Sequence, residues 1–380
     1  MTKSIINFTK VLCVLLCVGI VVASCTEGSL GDDQNTEQGV NLSSSGTANS
    51  YIVSAAGSYT FIPTKGNSNE SVGEIASVEV LWETFGTDVT PNVGDLVRNV
   101  KYADGVISFE TPDAFKEGNA VIAAKDASGT ILWSWHIWLT DQPQGQEYYN
   151  NAGTMMDRNL GATSAKPGDA GALGLLYQWG RKDPFLGSSS IYYNSIEEAK
   201  STITWPSTVS SNSSNGTIEY ATANPTTFIG YNTNNHDWYY TGSSSTDNTR
   251  WTTSETSKSI YDPCPAGWRV PDGGYNGVWA KALGSSSLFT QSSLYDSTNE
   301  GMSFSGKFGS DQAIWYPASG FRSSSNGSLY GVGYLGPYWS ASPYGVFAYY
   351  LYFDSNGNVY PSYHYNRANG LLVRCIQEIN

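Results

Sequence analysis

Side chains able to do acid–base or nucleophilic chemistry are few and scattered along this sequence of 380 residues. The three histidines, His136, His236 and His364, share no sequence neighbourhood. None of them lies beside a nucleophile in a turn such as Gly-x-Ser-x-Gly. Aspartate and glutamate are also dispersed, so no carboxylate pair for glycoside hydrolysis is assigned. We therefore predict that the protein is not an enzyme, with a polysaccharide-acting enzyme as the least favoured alternative.

Oxygen ligands for a metal occur in one short stretch, 354–358 (Asp-Ser-Asn-Gly-Asn). Its spacing is superficially similar to the start of a calcium-binding loop, but its glycine stands at the fourth position rather than the sixth. Asn356-Gly357 also separates two strand-like runs, which favours a type I′ hairpin turn. We predict a turn here, no metal site and no cofactor.

Aromatic residues are the remaining candidates for a binding function, because ten tyrosines lie between Leu329 and Tyr365. Strand alternation over 348–353 must place some of them on an outer face. An exposed tyrosine offers an apolar ring with a hydroxyl, which suits carbohydrate stacking and rigid protein contacts. Trp339, Tyr350 and Phe353 are predicted core residues. The candidate ligand-binding residues are Trp315, Tyr330, Tyr360, Tyr363 and Tyr365. For the last three, the alternative interpretation is that they only cover a glycine-rich β-surface.

The first 24 residues have the pattern of a secretory signal peptide. Lys3 and Lys10 flank a short n-region before an apolar run over 11–22, which is too short to span a bilayer. The run leads into Val22-Ala-Ser-Cys25, which resembles the lipobox of bacterial lipoproteins, with an ordinary signal peptide as the alternative. The resemblance implies that Cys25 is acylated, by palmitate among other chains, and anchors the protein to the outer membrane. The polar residues 25–47 are predicted to be a flexible tether.

The predicted roles of the other cysteines follow from this processing. Cys13 and Cys17 lie in the discarded signal peptide, and Cys25 carries lipid. Secretion places the mature chain in an oxidising compartment, so Cys264 and Cys375 are predicted to form a disulfide. That bond would close a loop of 375 − 264 = 111 residues, for which the chain-entropy model gives about 4–5 kcal/mol.

Composition and charge limit the class of protein. Length predicts two domains or three, and abundant glycine and tyrosine with few charged residues indicate an extracellular β-rich protein. The net charge is −13, and the signal peptide holds two lysines and no acid, so the mature chain is near −15. That balance argues against nucleic acid as a partner and against attraction to anionic lipid.

Residues 48–142 are predicted to form an all-β domain, with a hairpin turn at Asp104-Gly105. In the strand over 131–139 the odd-numbered residues form an apolar core face. His136 lies on the other face and is predicted to be a half-exposed strand residue rather than a ligand or catalyst.

Two stretches of this domain resemble a segment of Bacteroidetes fimbrillin-type surface proteins. They are 48–54 (Ala-Asn-Ser-Tyr-Ile-Val-Ser) and 118–126 (Gly-Asn-Ala-Val-Ile-Ala-Ala-Lys-Asp), the latter continuing through 133–138 (Trp-Ser-Trp-His-Ile-Trp). The resemblance implies an immunoglobulin-like β-sandwich that carries or presents another module. Residues 143–148 are predicted to be the linker to that module.

Residues 149–380 resemble the Fibrobacter succinogenes major paralogous domain. Five blocks carry the resemblance: 157–162 (Asp-Arg-Asn-Leu-Gly-Ala), 177–184 (Tyr-Gln-Trp-Gly-Arg-Lys-Asp-Pro), 261–271 (Tyr-Asp-Pro-Cys-Pro-Ala-Gly-Trp-Arg-Val-Pro), 338–342 (Tyr-Trp-Ser-Ala-Ser) and 370–375 (Gly-Leu-Leu-Val-Arg-Cys). The resemblance implies an α+β, C-type-lectin-like module with a small antiparallel sheet, two short helices and long loops. We predict helices over 196–202 and 277–283, and a strand over 304–308.

The family resemblance does not bring a known site with it. The chain lacks the sugar-coordinating calcium motifs of true C-type lectins, and its two paired cysteines differ from the copper-binding pair of formylglycine-generating relatives. We predict a lipid-anchored cell-surface protein, an adhesin or fimbria-associated protein that recognises a glycan or a surface protein of a host or bacterium. The alternative is a structural subunit of a surface assembly, with other fimbrial subunits as its partners.

Overall fold

The computed structural model describes residues 39–254, 257–310 and 313–379. Strands account for 37 % of the described residues and helices for 6 %, so the fold is β-rich, as the composition predicts. The predicted signal peptide, Cys25 and the first part of the tether lie outside the described residues. Within the described ranges, no helix has the length and apolar character needed to cross a membrane.

The first part of the chain forms two four-stranded sheets, β1-β3-β6-β5 and β2-β8-β7-β4. Their strands are β1 (Val40–Asn41), β2 (Ser50–Val53), β3 (Gly57–Phe61), β4 (Ser77–Thr84), β5 (Arg98–Ala103), β6 (Val106–Thr111), β7 (Gly118–Lys125) and β8 (Ile131–Leu139). Side chains from both sheets, including Phe61, Ile107, Ile122 and Trp135, share one buried core.

Two local features of this region bear on the sequence analysis. The hairpin between β5 and β6 is confirmed, and both Asp104 (φ 52°) and Gly105 (φ 80°) adopt the left-handed backbone that a type I′ turn requires. Residues 39–47, predicted to be the end of the tether, instead include β1, which pairs in parallel with β3.

The remaining chain forms a second sheet system and two short α-helices among the described residues. The elements are β9 (Gly145–Tyr148), β10 (Gly153–Met156), β11 (Leu176–Gln178), β12 (Val209–Ser210), α1 (Ile218–Ala223), β13 (Ile229–Gly230), β14 (Thr252–Ser254), β15 (Ser257–Lys258), β16 (Trp268–Arg269), α2 (Val278–Leu283), β17 (Phe289–Thr290), β18 (Tyr295–Asp296), β19 (Gly301–Ser303), β20 (Trp315–Pro317), β21 (Ser319–Arg322), β22 (Leu329–Val332), β23 (Leu335–Tyr344), β24 (Phe347–Asp354), β25 (Asn358–Asn366), β26 (Gly370–Leu372) and β27 (Ile376–Gln377).

The largest sheet of this second part has the order β17-β25-β24-β23-β26-β21-β22, with β11 also paired to β26; we call it the large sheet. A smaller sheet, β16-β27-β10-β9, includes Gly145–Tyr148, which were predicted to lie in the linker. The predicted disulfide between Cys264 and Cys375 is confirmed, and it joins the turn before β16 to the residue before β27.

Three sequence predictions of local structure have different outcomes. The helix predicted over 277–283 is confirmed as α2, for which Gly277 is the N-cap. The helix predicted over 196–202 is wrong, because its backbone bonds to distant segments, as when the Ala199 amide donates to the Gly187 carbonyl. The strand predicted over 304–308 is wrong too, because the chain turns there and stacks Phe304 on Phe308 with ring centroids 4.2 Å apart.

The prediction of a half-exposed His136 is wrong, because the second part of the chain covers that face of β8. His136 is 2 % exposed, and Trp138 beside it is fully buried. The Trp138 indole N–H donates to the Ala162 carbonyl at 2.9 Å, and the Asn119 side-chain Nδ2 donates to the Gly161 carbonyl at 2.9 Å. Both faces of β8 are therefore core faces, and the described residues belong to a single compact unit.

A candidate ligand-binding groove

Strand register brings aromatic side chains of the large sheet together on one face. Tyr350 of β24 lies opposite Tyr363 of β25, and Tyr352 lies opposite Tyr360. Pro337 of β23 faces Tyr352 from the other side. Because directly paired residues in a sheet project to the same side, these side chains form one continuous surface.

This surface lines an open groove with a volume of about 320 Å³, which we call the tyrosine groove. Its aromatic lining consists of Phe321, Tyr350, Tyr352, Tyr360, Tyr363 and Tyr365. The sequence analysis missed Phe321, which comes from β21. Phe321 reaches the groove because β26 and β21 lie next to β23 in the large sheet. The spacing of residues along the chain does not reveal this strand order.

A β-bulge in β25 determines which tyrosines reach the groove. Between the Tyr350–Tyr363 and Tyr352–Tyr360 pairs, two residues of β25, Pro361 and Ser362, oppose one residue of β24. In a regular strand, residues three apart project to opposite faces. The extra residue in the bulge places Tyr360 and Tyr363 on the same face, which strict alternation would not allow.

Polar groups lie where the groove meets the turn between β24 and β25. Asp354 accepts hydrogen bonds from the Asn356 and Asn358 amides at 2.9 and 3.1 Å, and from the Asn358 side chain at 2.9 Å. The predicted hairpin is confirmed, but its type I′ geometry is wrong, because Gly357 has a left-handed φ of 83° and Asn356 does not. Asp354 therefore closes the turn.

Three of the groove tyrosines have a raised pKa. Burial raises the pKa of Tyr350 well above its ordinary value, and burial also raises the pKa of Tyr365. The pKa of Tyr352 is raised first by burial and then by the neighbouring Asp354 carboxylate. These phenols keep their protons at neutral pH, so they can both donate and accept hydrogen bonds while their rings offer apolar contact.

The five candidate binding residues fall into three positions. Tyr360, Tyr363 and Tyr365 line the groove, and Tyr363 is 43 % exposed. Tyr330 of β22 pairs with Phe321, packs against that ring and is 54 % exposed, but it lines a neighbouring groove rather than this one. Trp315 lies elsewhere and is 4 % exposed, because β20 pairs with β19 and its ring covers Gly301. Trp315 is thus a buried residue outside the groove.

The sheet that carries the groove rests on buried charges that the sequence analysis did not find. Arg250, Arg367 and Asp237 are fully buried, with Asp237 accepting from Arg250. The Arg367 guanidinium lies 4.3 Å from the ring centroid of Trp179, and burial lowers the pKa of Arg367 to about 10. These residues are far apart in sequence, so no local motif marks them. Arg367 also joins the polar segment 188–259 to the large sheet, because it donates to the Asp247 carbonyl in that segment and to the Gly345 carbonyl between β23 and β24, at 2.8 Å each.

The chain has no match in the comparisons made with known proteins. No family model, no curated protein and no solved structure matches it. Among residues 39–254, 257–310 and 313–379, no three or more His, Cys, Asp or Glu side chains are grouped so that they could hold a metal ion. The groove and its chemistry are therefore the basis for a functional proposal.

Proposed function

We propose that this protein is a non-catalytic, lipid-anchored binding protein of the bacterial cell surface, with the tyrosine groove as its ligand site. The groove supports this proposal, because it presents several aromatic rings with protonated hydroxyls on a single rigid sheet. Tyrosines held by strands lose little conformational entropy on binding, which suits contact with a glycan or a surface protein. The protein would act as an adhesin or a fimbria-associated protein.

The proposal includes an architecture and a location. The two facing sheets of the first part would be an immunoglobulin-like sandwich, and the second part would be a C-type-lectin-like module. The protein would be anchored to the outer membrane through an acylated Cys25. Support for the location comes from the signal-peptide pattern and the lipobox resemblance. Mass spectrometry of the mature N-terminus tests it, with a diacylated Cys25 as the expected result.

Binding is tested with the purified full chain on an array of immobilised glycans and purified surface proteins. We expect at least one class of ligand to bind, and Tyr363→Ala to weaken that binding about tenfold, equivalent to about 1.4 kcal/mol. Tyr102→Ala is the matched control, because Tyr102 is similarly exposed, at 40 % against 43 % for Tyr363, and lies on β5. Equal loss in both variants, or no loss in Tyr363→Ala, would show that the groove is not the site.

A further inference from the structure

A second groove adjoins the tyrosine groove. It has a volume of about 610 Å³ and is lined mainly by the loop 323–328 between β21 and β22, by Asn366 at the end of β25, by Asn369 after it, and by His236. We call it the serine groove. Phe321 and Tyr365 line both grooves. Their ring centroids are 5.6 Å apart, so the two grooves are continuous across these two rings.

The serine groove contains a buried hydrogen-bond donor without a protein partner. Asn369 is 2 % exposed, and its Oδ1 accepts from the Ser324 amide at 2.7 Å. That bond fixes the orientation of the side-chain amide, and its Nδ2 has no hydrogen-bond partner among the described residues. An unsatisfied buried donor costs about 1–3 kcal/mol. Because Nδ2 is itself buried, a ligand that opens the groove wall and places an acceptor oxygen on it would recover part of that free energy.

The charges along both grooves restrict the ligand. No lysine or arginine is among the described residues that line either groove. The one carboxylate there, Asp354, already accepts bonds from the β24–β25 turn and from Asn358. An anionic ligand would find no lysine or arginine to pair with among these lining residues, and a cationic ligand would meet a carboxylate that is already bonded. Neutral groups that accept and donate hydrogen bonds fit both grooves.

We propose that the two grooves form one extended site for a neutral oligosaccharide. This inference rests on the proposed function and specifies its ligand. One or more sugar rings stack on Tyr352 and Tyr363, whose rings are partly exposed, and the oligosaccharide crosses Phe321 and Tyr365. A further sugar then lies in the serine groove, where a hydroxyl or carbonyl oxygen accepts from Asn369 Nδ2. The aromatic half supplies apolar contact, and the buried amide supplies selectivity for an acceptor at one position.

Calorimetric titration of the full chain tests this proposal with neutral hexasaccharides of glucose, mannose and N-acetylglucosamine, and with an acidic hexagalacturonate. We expect at least one neutral hexasaccharide to bind, its disaccharide to bind more weakly because it fills a single groove, and hexagalacturonate not to bind. Asn369→Asp keeps the acceptor for the Ser324 amide but replaces the Nδ2 donor, so it should weaken binding about tenfold or more. Asn276→Asp is the control, since it introduces the same charge at an exposed residue.

The possible failures are distinguishable. Binding that is weakened by Tyr363→Ala but equal in Asn369→Asp and wild type would overturn the extended site and leave the tyrosine groove as the ligand site. Binding of hexagalacturonate in preference to every neutral probe would overturn the ligand class. A protein ligand recognised through Tyr363, with no neutral glycan bound in the titrations or on the array, would also overturn it. Loss of near-ultraviolet circular dichroism in Asn369→Asp would be checked first. Asn369→Ala would then replace that variant, because it removes the donor without introducing a buried charge, and the same weakening is expected.

Discussion

Replacing Trp138 tests whether the first part of the chain shares a core with the second part. Its side chain is fully buried in the core that also contains Trp82 of β4 and Trp339 of β23. The indole N–H donates to the Ala162 carbonyl in the second part of the chain. If the two parts were connected only by their peptide chain, this face of β8 would be exposed to water. Replacing Trp138 with alanine would then have little effect on stability.

The structure predicts a large effect instead. Truncating a fully buried tryptophan to alanine costs about 3–5 kcal/mol through lost apolar contact and the remaining cavity. The Ala162 carbonyl would also lose its donor, and an unsatisfied buried acceptor costs about 1–3 kcal/mol. We expect Trp138→Ala to lower the free energy of unfolding by about 5 kcal/mol, a large part of the ~5–15 kcal/mol that is usual for a folded domain. Trp138→Phe keeps most of the ring volume and should cost about 1–2 kcal/mol.

Urea unfolding measures these differences, followed by tryptophan fluorescence and by far-ultraviolet circular dichroism. Tyr102→Ala on the exposed edge strand β5 is the control and should change the free energy of unfolding by less than about 0.5 kcal/mol. We expect the two optical signals of the wild type to report one coincident transition. The reasoning is refuted if Trp138→Ala is no less stable than Tyr102→Ala, or if the wild type unfolds in two separate steps.

Two further predictions concern the disulfide and pH. The double variant Cys264→Ser/Cys375→Ser reopens a loop spanning 111 residues, so we expect its free energy of unfolding to be about 4–5 kcal/mol lower. A reductant should lower the urea midpoint of the wild type but not that of the double variant. An equal effect of reductant on both proteins would contradict this prediction. Burial lowers the pKa of His136 to about 3, below an unfolded value of about 6.5. Because the unfolded chain then binds more protons, the stability contributed by neutral His136 is present above pH 6.5 and lost as pH falls. Between pH 7 and pH 4 the wild type should lose about 3 kcal/mol more than His136→Gln, and parallel pH profiles would contradict this assignment.

Hydrogen bonding explains why His136 tolerates full burial. Asn119 uses its side-chain amide as a donor to the Gly161 carbonyl, so its Oδ1 is free to accept from His136 Nε2–H at 2.9 Å. His136 Nδ1 then accepts from the Ser50 hydroxyl at 3.0 Å. Both ring nitrogens are satisfied in the neutral form, and a protonated ring would leave Nδ1–H facing another donor unless Ser50 rotated. The sequence alternation assigned His136 correctly to one face of β8, but it could not show that another part of the chain covers that face.

Local signals in the sequence were sufficient where a few adjacent residues determine the backbone. Asp104-Gly105 specifies the β5–β6 hairpin, and the glycine before Val278 allows α2 to begin where it was predicted. The helix predicted over 196–202 failed because its backbone groups bond to residues distant in sequence. The disulfide was predictable for a different reason, since the predicted signal peptide and lipobox account for the other three cysteines and leave Cys264 and Cys375 to pair.

The tyrosine groove was only partly predictable from the sequence. Composition pointed to the region between Leu329 and Tyr365, and three candidate tyrosines do line the groove. Trp315 was a wrong candidate because its exposure depends on the pairing of β20 with β19. Tyr360 and Tyr363 share a face only because of the bulge at Pro361. Bulges and strand order are set by contacts distant in sequence, which alternation within one strand does not encode.

The same core links the groove to the first part of the chain. Tyr350, which forms part of the groove lining, belongs to the buried cluster that includes Trp339, Trp138 and Trp82. The Tyr350 and Trp339 ring centroids are 6.0 Å apart, so the Tyr350 ring in the groove wall packs against that core. Protein interiors transmit strain because they are close-packed. A weakened contact at β8 should therefore loosen the groove as well as the fold, so the first part of the chain supports the tyrosine groove rather than serving only as a spacer.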